Sequence, residues 1–205
     1  MKAFFDKKIF TTAMMATDKK DYRDALRHIV IEYDAGKQVL TTMGTNAQIM
    51  IISKITVENN STQPELTEFC KKVFEQGKGF LLPETVLKSK ESLIEFELVD
   101  GRLLCDGGTV NIFDGTMPNW NAVVPKDNWT VAEHYCAFDP DLVKKIDKAL
   151  GYKHKSIIDK IPFVSAAANA DGASSEALAP HIWSTADEVG FNQLVLLMPR
   201  RTTAQ

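Results

Sequence analysis

Three times along the chain a helical stretch is followed by a set of short, β-rich segments, and this weak repetition limits the fold more than any single motif does. The clearest set is the middle one: Leu93 to Leu98, Arg102 to Asp106 and Thr109 to Asp114, joined by Asp100-Gly101 and Gly107-Gly108. Such dipeptides supply the positive φ angles that tight hairpin turns need, so these segments read as antiparallel neighbours. An earlier set starts with Leu26 to Glu32, turns at Asp34-Ala35-Gly36, resumes at Gln38 to Thr42 and continues in Ala47 to Val57. There Ile49, Met50, Ile51, Ile52 and Ile55 predict burial on both faces. The last set comprises Phe163 to Ala168, His181 to Ser184 and Gln193 to Met198.

The helical stretches are residues 3 to 17, a helix entered at Pro64 and running through Leu66, Phe69, Cys70, Val73 and Phe74, and one entered at Asp139-Pro140. Gly77 and Gly151 are read as helix stops, and short helices are expected at Pro83 to Ser89 and His154 to Lys160. Residues 169 to 178 read as a loop. Helices segregated from antiparallel strands predict an α+β fold. Gly115 to Asn128, with two of the eight prolines, reads as a boundary between 1–127 and 128–205.

Charge is distributed unevenly. The net charge is −3, but residues 1 to 27 carry seven Lys or Arg against four Asp, and residues 142 to 160 carry six Lys against two Asp. One basic surface on an otherwise acidic chain suits a polyanion, because the local field and not the net charge attracts phosphates. The plainer alternative is two solvated helix faces. On the helix after Pro140, Leu142, Val143, Ile146, Ala149 and Leu150 form an apolar face and Lys144, Lys145 and Lys148 fall largely opposite.

Enzymatic readings find little support. His28, His134, His154 and His181 form no HExxH pair, and neither a GxSxG nor a phosphate-binding loop occurs. Glu95 and Glu97 alternate along a strand and are expected to face solvent. A metal-free hydrolase using Asp or Glu is the weakest of three hypotheses. Cys70, Cys105 and Cys136 contain no CxxC pair and are expected to be reduced thiols. No cofactor or metal is expected. The absence of a long apolar run and of a leader-like start predicts a cytoplasmic protein with no membrane association.

Three segments resemble the bacterial DNA sliding clamp, the beta subunit of DNA polymerase III. Residues 25 to 52 resemble the strand pair that leads into the clamp's T-D-G-H-R-L-A motif, which here reads Thr42-Met43-Gly44-Thr45-Asn46-Ala47-Gln48. Residues 113 to 128 are similar to its D-G-x-F-P-D-Y-x-x-V-x-P linker, through Asp114, Gly115, Pro118, Val124, Pro125 and Lys126, with Trp120 in the aromatic place. Leu196-Leu197-Met198-Pro199-Arg200-Arg201 resembles the V-V-M-P-M-R close of the last clamp domain, and Phe138 to Leu150 the helix before it.

The resemblance implies a clamp fold, with antiparallel sheets outside and helices lining one face. Residues 1–127 would be one complete clamp-like domain and 128–205 the second half of another, with the helix near 65–76 inserted. It implies a non-enzymatic polymerase processivity factor whose ring encircles double-stranded DNA without regard to sequence. If each half-domain counts as one repeat, the chain has three where a full ring uses twelve, so a tetramer would close it; a trimer is the alternative. The DNA-facing residues would be Lys7, Lys8, Lys144, Lys145 and Lys148, with Lys19, Lys20 and Arg23 behind them.

DNA polymerase and clamp-loader proteins would dock short linear peptides in an apolar pocket. Its walls would be Thr42, Gly44, Thr45 and Asn46 on one side, Val124 and Pro125 at the base, and Leu196, Leu197, Met198 and Pro199 on the other. Thr45 and Asn46 stand where the family has His and Arg. A phage or other mobile element would suit so short a version. The second hypothesis is a clamp-like regulator or decoy that binds the host clamp or its partners. Read without the resemblance, Leu196 to Met198 is an ordinary core strand and the lysines are solubilising.

Overall fold

The computed structural model describes residues 1–74, 80–82, 87, 90–106, 108–112, 129–131, 140–150, 164–166, 181–186 and 192–197. The chain opens with a strand where sequence periodicity predicts a helix. Lys2–Asp6 (β1) alternates between solvent and core, with Ala3 and Phe5 buried, and only at Lys7–Met14 (α1) does the helix begin. Asp6 marks the switch, since its carboxylate accepts from the Lys8 amide at 2.8 Å as a helix N-cap. A one-turn helix, Asp24–Arg27 (α2), replaces the expected start of the next strand, which runs Val30–Asp34 (β2).

Val39–Thr45 (β3) and Ile49–Thr56 (β4) follow as an antiparallel pair, with Ile49, Met50, Ile51 and Ile52 buried as the run of apolar residues requires. Helix Leu66–Val73 (α3) is entered through a turn at Pro64. Phe80–Leu81 (β5), Leu93–Val99 (β6), Arg102–Cys105 (β7), Gly108–Thr109 (β8) and Asn111–Ile112 (β9) come next. The β6–β7 turn is the two-residue one predicted: Asp100 and Gly101 have φ of 48° and 77° between the paired Val99 and Arg102.

Trp129–Val131 (β10), a strand with no sequence expectation, precedes helix Pro140–Leu150 (α4), and Val164–Ala166 (β11), His181–Ala186 (β12) and Asn192–Leu197 (β13) end the described structure. The expected helix at 83–89, apart from Leu87, and the expected helix at 154–160, the loop at 169–178 and the linker at 113–128 lie outside the described residues.

The elements fall into three units, two of which show a β-α-β-β-β order among the described residues. Unit 1 is β1, α1 and β2 to β4; unit 2 contributes β5 to β9; unit 3 is β10, α4 and β11 to β13. Units 1 and 2 interlock, because β1 pairs with β6 in the sheet β1-β6-β7-β8 while Leu82, after β5, bridges to Ile29 just before β2. Their common core takes Phe5, Ile9 and Phe10 from one side and Ile94, Phe96 and Leu103 from the other. Units 1 and 3 meet differently: their last strands β4 and β13 pair antiparallel, giving a seven-stranded sheet β10-β11-β12-β13-β4-β3-β2. Strands from both sides of the 127/128 division therefore share one sheet.

Cross-strand register sorts this sheet into two faces, since side chains alternate along each strand. Thr42, Gly44, Ile49, Ile51, Val195 and Leu197 face the helices, whereas Met43, Met50, Ile52 and Leu196 face away. Helix α1 rests on β3 and β4, and α4 rests on the seam of β4 and β13.

Candidate nucleic-acid interface

The seam between β4 and β13 sets α1 beside α4. Leu142, Ile146 and Ala149 of α4 are buried against Ile49, Ile51, Val195 and Leu197. The helical period then turns Lys144 and Lys148 to solvent and leaves Lys145 half-buried at the edge. Between the helices runs a groove of about 440 Å³ lined by Thr11, Met14, Met15, Lys19, Leu87, Lys145 and Lys148. Lys19 and the pair Lys145 and Lys148, distant in sequence, thus share one concave surface with an apolar floor.

The other proposed DNA-facing residues sit as follows. Lys7 and Lys8 occupy the first turn of α1, where the helix dipole is already positive, so they sharpen the field instead of neutralising it. Lys20 is exposed in the 18–26 loop, which Asp18 and Leu26 close through a 2.8 Å backbone bond. Arg23 is committed locally: its guanidinium donates to both carboxylate oxygens of Asp21 at 2.9 and 2.8 Å and lies over the Tyr22 ring. These bonds hold the Asp21 carboxyl down at about 2. Lys144 makes an ion pair with Asp141 at 3.2 Å.

Lys2, counted in the basic N-terminal stretch, belongs elsewhere. It lies on the outer side of the four-stranded sheet, paired with Glu95 at 2.8 Å and Glu97 at 3.6 Å. Sequence clustering overstates the charge on the helix face by this lysine, because the segment that carries it is a strand and not the start of the helix.

The expected peptide pocket divides between the two faces of the large sheet. Thr42 is interior, its hydroxyl donating to the Ile9 carbonyl of α1 at 2.8 Å. Gly44 lies under α1 and Leu197 is buried beneath α4. These three serve the packing of helix on sheet and form no pocket wall. Thr45 and Leu196 lie on the opposite face, either side of Met50 in register. Leu196 joins Val30, Met43, Met50 and Ile52 in a compact apolar cluster there. Met43 and Met50 share that face, a placement already written in their alternation with Thr42, Gly44 and Ile51.

Asn46 shapes the adjoining turn, its side-chain oxygen accepting from the amides of Gln48 and Ile49 at 3.0 and 2.9 Å. Thr45 clamps the same turn by donating to the Ile49 carbonyl and accepting from the Ala47 amide. Val124, Pro125, Met198 and Pro199 lie outside the described residues.

Chemistry at the Cys70 and Cys105 thiols is suppressed. Burial pushes Cys70 up to about 12, and Cys105 is shifted in the same direction by burial and by nearby Asp106. Among the described residues no three His, Cys, Asp or Glu side chains come together as a metal site would require, and no helix is long and apolar enough to cross a membrane.

No protein-family model and no characterised protein sequence matches the chain. Solved structures do. The DNA polymerase III beta subunit of Thermotoga maritima superimposes with a TM-score of 0.58 at 14% identity, over 99% of this chain and 66% of that one. A putative DNA polymerase III beta subunit from Eubacterium rectale gives 0.59 at 10%, over 98% and 66%. The sliding clamp of Bartonella birtlesii bound to griselimycin gives 0.57 at 14%, also over 98% and 66%. The chain spans just under two thirds of each. At this identity the likeness shows the fold: a clamp-like α+β architecture of antiparallel sheets with helices on one face.

Proposed function

We propose that the chain is a DNA sliding clamp, assembling as a homo-oligomeric ring that encircles duplex DNA and tethers a polymerase. The observation that carries this reading is the convergence of Lys19, Lys145 and Lys148 on one groove of the helix layer. A sheet backs that layer, so curvature of the sheet into a ring would turn the lysines toward an enclosed duplex. Contacts of this kind are to phosphates alone; they release counterions and carry no sequence information, which permits sliding. Lys7, Lys8, Lys20 and Lys144 extend the same field. Arg23 contributes least, since Asp21 offsets its charge.

The partner site of this clamp lies on the sheet face away from the helices, over the buried row Thr45, Met50 and Leu196 and beside the Asn46 turn, completed by Val124, Pro125, Met198 and Pro199. Methionines suit a surface that accommodates several peptides, because an unbranched thioether repacks at low cost. Residues 1–127 act as one two-unit domain and 128–205 as a single unit of the next. The role asks for no catalytic group and no cofactor. The natural setting is the compartment where DNA is replicated.

The test is topological. The protein should be retained on nicked circular DNA and lost when the circle is cut, with light scattering giving a mass of several chains. A single-chain mass, or equal retention on linear and circular DNA, overturns the reading.

A further inference from the structure

Units 1 and 2 show how a complete domain is closed in this fold. Unit 1 lends its first strand outright, β1 lying on the edge of β6, whereas β5 of unit 2 pairs with β9 of its own unit and reaches unit 1 through the single bridge from Leu82 to Ile29 at the edge of β2. Unit 3 has the same order of elements but a different closure. Its first strand, β10, folds back on β11 of its own unit, with Trp129 opposite Ala166, Thr130 opposite Ser165 and Val131 opposite Val164. The edge is the same in both cases. β6 is flanked by β1 and β7, and β11 by β10 and β12, antiparallel throughout.

We propose that β10 exchanges between two copies of this chain, each lending it to β11 of the other, so that two third units close one complete two-unit domain. Whatever flanks it, unit 3 carries a strand and a matching edge that pair equally well in cis and in trans, and the exchange conserves every β10–β11 hydrogen bond. The gain lies in the core. Units 1 and 2 sandwich one apolar cluster between two sheets, whereas α4 has only the β4–β13 seam beneath it among the described residues. A second copy would lay a further sheet against that helix. The link is long enough: 32 residues separate Val131 from Val164, whereas 23 residues from Asp6 to Val30 suffice for the exchange in unit 1.

Like surfaces meet like in this contact, so it is two-fold. The pairing of β4 with β13, both last strands, has the same character. Two chains joined through β10 run in opposite senses around a ring, and a ring so built would offer partners the same surface on both of its faces. A head-to-tail ring would not. This inference rests on the ring reading above.

Cysteine pairs separate the cases. Thr130→Cys with Ser165→Cys, in a Cys136→Ser background, is oxidised mildly and run on a non-reducing gel, with native mass measured by light scattering. Val131→Cys with Val164→Cys serves as a second pair should the first distort the strands. Exchange predicts covalent dimers as the dominant product, with no ladder beyond two chains. An intrachain disulfide within an assembled oligomer, or a ladder to higher masses, overturns the exchange and leaves the ring reading standing. A single-chain native mass overturns the ring reading itself, and absence of any disulfide at both pairs overturns the pairing of β10 with β11.

Discussion

Gly44 and Ala13 touch more closely than any side chain would allow: a Cβ on Gly44 would lie 1.9 Å from the Ala13 carbonyl oxygen and 2.7 Å from its carbon. Both obstacles are backbone, so α1 as a whole would have to lift. Gly44→Ala is expected to destabilise the protein by about 3 kcal/mol, the upper end for overpacking. Urea unfolding measures this; a decrease of under about 1 kcal/mol, the lower end for overpacking, would mean that α1 does not rest on β3 as described. Where the variant still folds, DNA retention should fall, because α1 carries Lys7 and Lys8.

Tyr33 gives the opposite sign. The residue is 1% exposed and its hydroxyl has no hydrogen-bond partner among the described residues. A buried hydroxyl without a partner costs roughly 1–3 kcal/mol of lost hydration. Tyr33→Phe removes that cost at nearly constant shape, so it should leave stability unchanged or raise it by about 1 kcal/mol. A clear decrease in thermal stability would reveal a partner for the hydroxyl.

Cys70 sets an alkaline limit. The folded thiol titrates near 12, against 9.0 for an unperturbed thiol. Below pH 9 both states hold the proton and the residue contributes no pH dependence. Between 9 and 12 the unfolded chain loses the proton and the folded one keeps it, so stability falls as pH rises. The slope is about 1.4 kcal/mol per pH unit for one such group. Cys70→Ala should be less stable than the parent at neutral pH yet show a shallower decline from pH 9 upward. Parallel declines would show that Cys70 is accessible when folded, as would rapid reaction with a thiol reagent at mildly alkaline pH.

Much of the strand pattern is legible in the sequence because it is written in local chemistry. Asp100-Gly101 specifies a two-residue turn by itself, and Ile49 to Ile52 can be buried on both faces only inside a sheet. The N-terminal segment misleads for a physical reason. Phe4, Phe5, Ile9 and Phe10 fit a helical spacing, yet Asp6 starts the helix in their midst, so strand and helix each own half of the pattern. The candidate interface is half legible: amphipathicity marks Lys145 and Lys148 on α4. Their meeting with Lys19 depends on the β4–β13 seam, a long-range pairing that local sequence does not encode. Thr42 and Gly44 show the limit of motif matching, for they keep the clamp-like pattern while packing under α1.

On the outer face, Met50 and Leu196 are register partners between β4 and β13, and Thr45 is the partner of Met50 on the other side. Met50→Ala with Leu196→Ala should weaken binding of a polymerase-derived peptide by more than about tenfold in fluorescence polarisation, the effect of truncating two central apolar anchors. All three side chains are buried, so both variants should lose stability, but Leu197→Ala, on the helix side, should lose no peptide affinity in the folded protein. If Leu197→Ala abolishes peptide binding in a protein that remains fully folded, the pocket lies on the wrong face.

The helix-face assignment is best tested against a lysine of equal charge placed elsewhere. Lys145→Gln with Lys148→Gln removes two positive charges from the α1–α4 groove; Lys2→Gln removes one from the outer sheet, where Glu95 and Glu97 already balance it. Removing one phosphate-binding lysine should reduce the slope of log affinity against log salt by about 0.9 on duplex DNA. The double variant should therefore lower the slope by up to about 1.8, and bind several-fold more weakly at low salt. Lys2→Gln should leave the slope unchanged, since a lysine that touches no phosphate releases no counterion from DNA. Equal effects per lysine at both places would mean that net charge and not the groove attracts DNA, and the helix layer would lose its claim to the duplex.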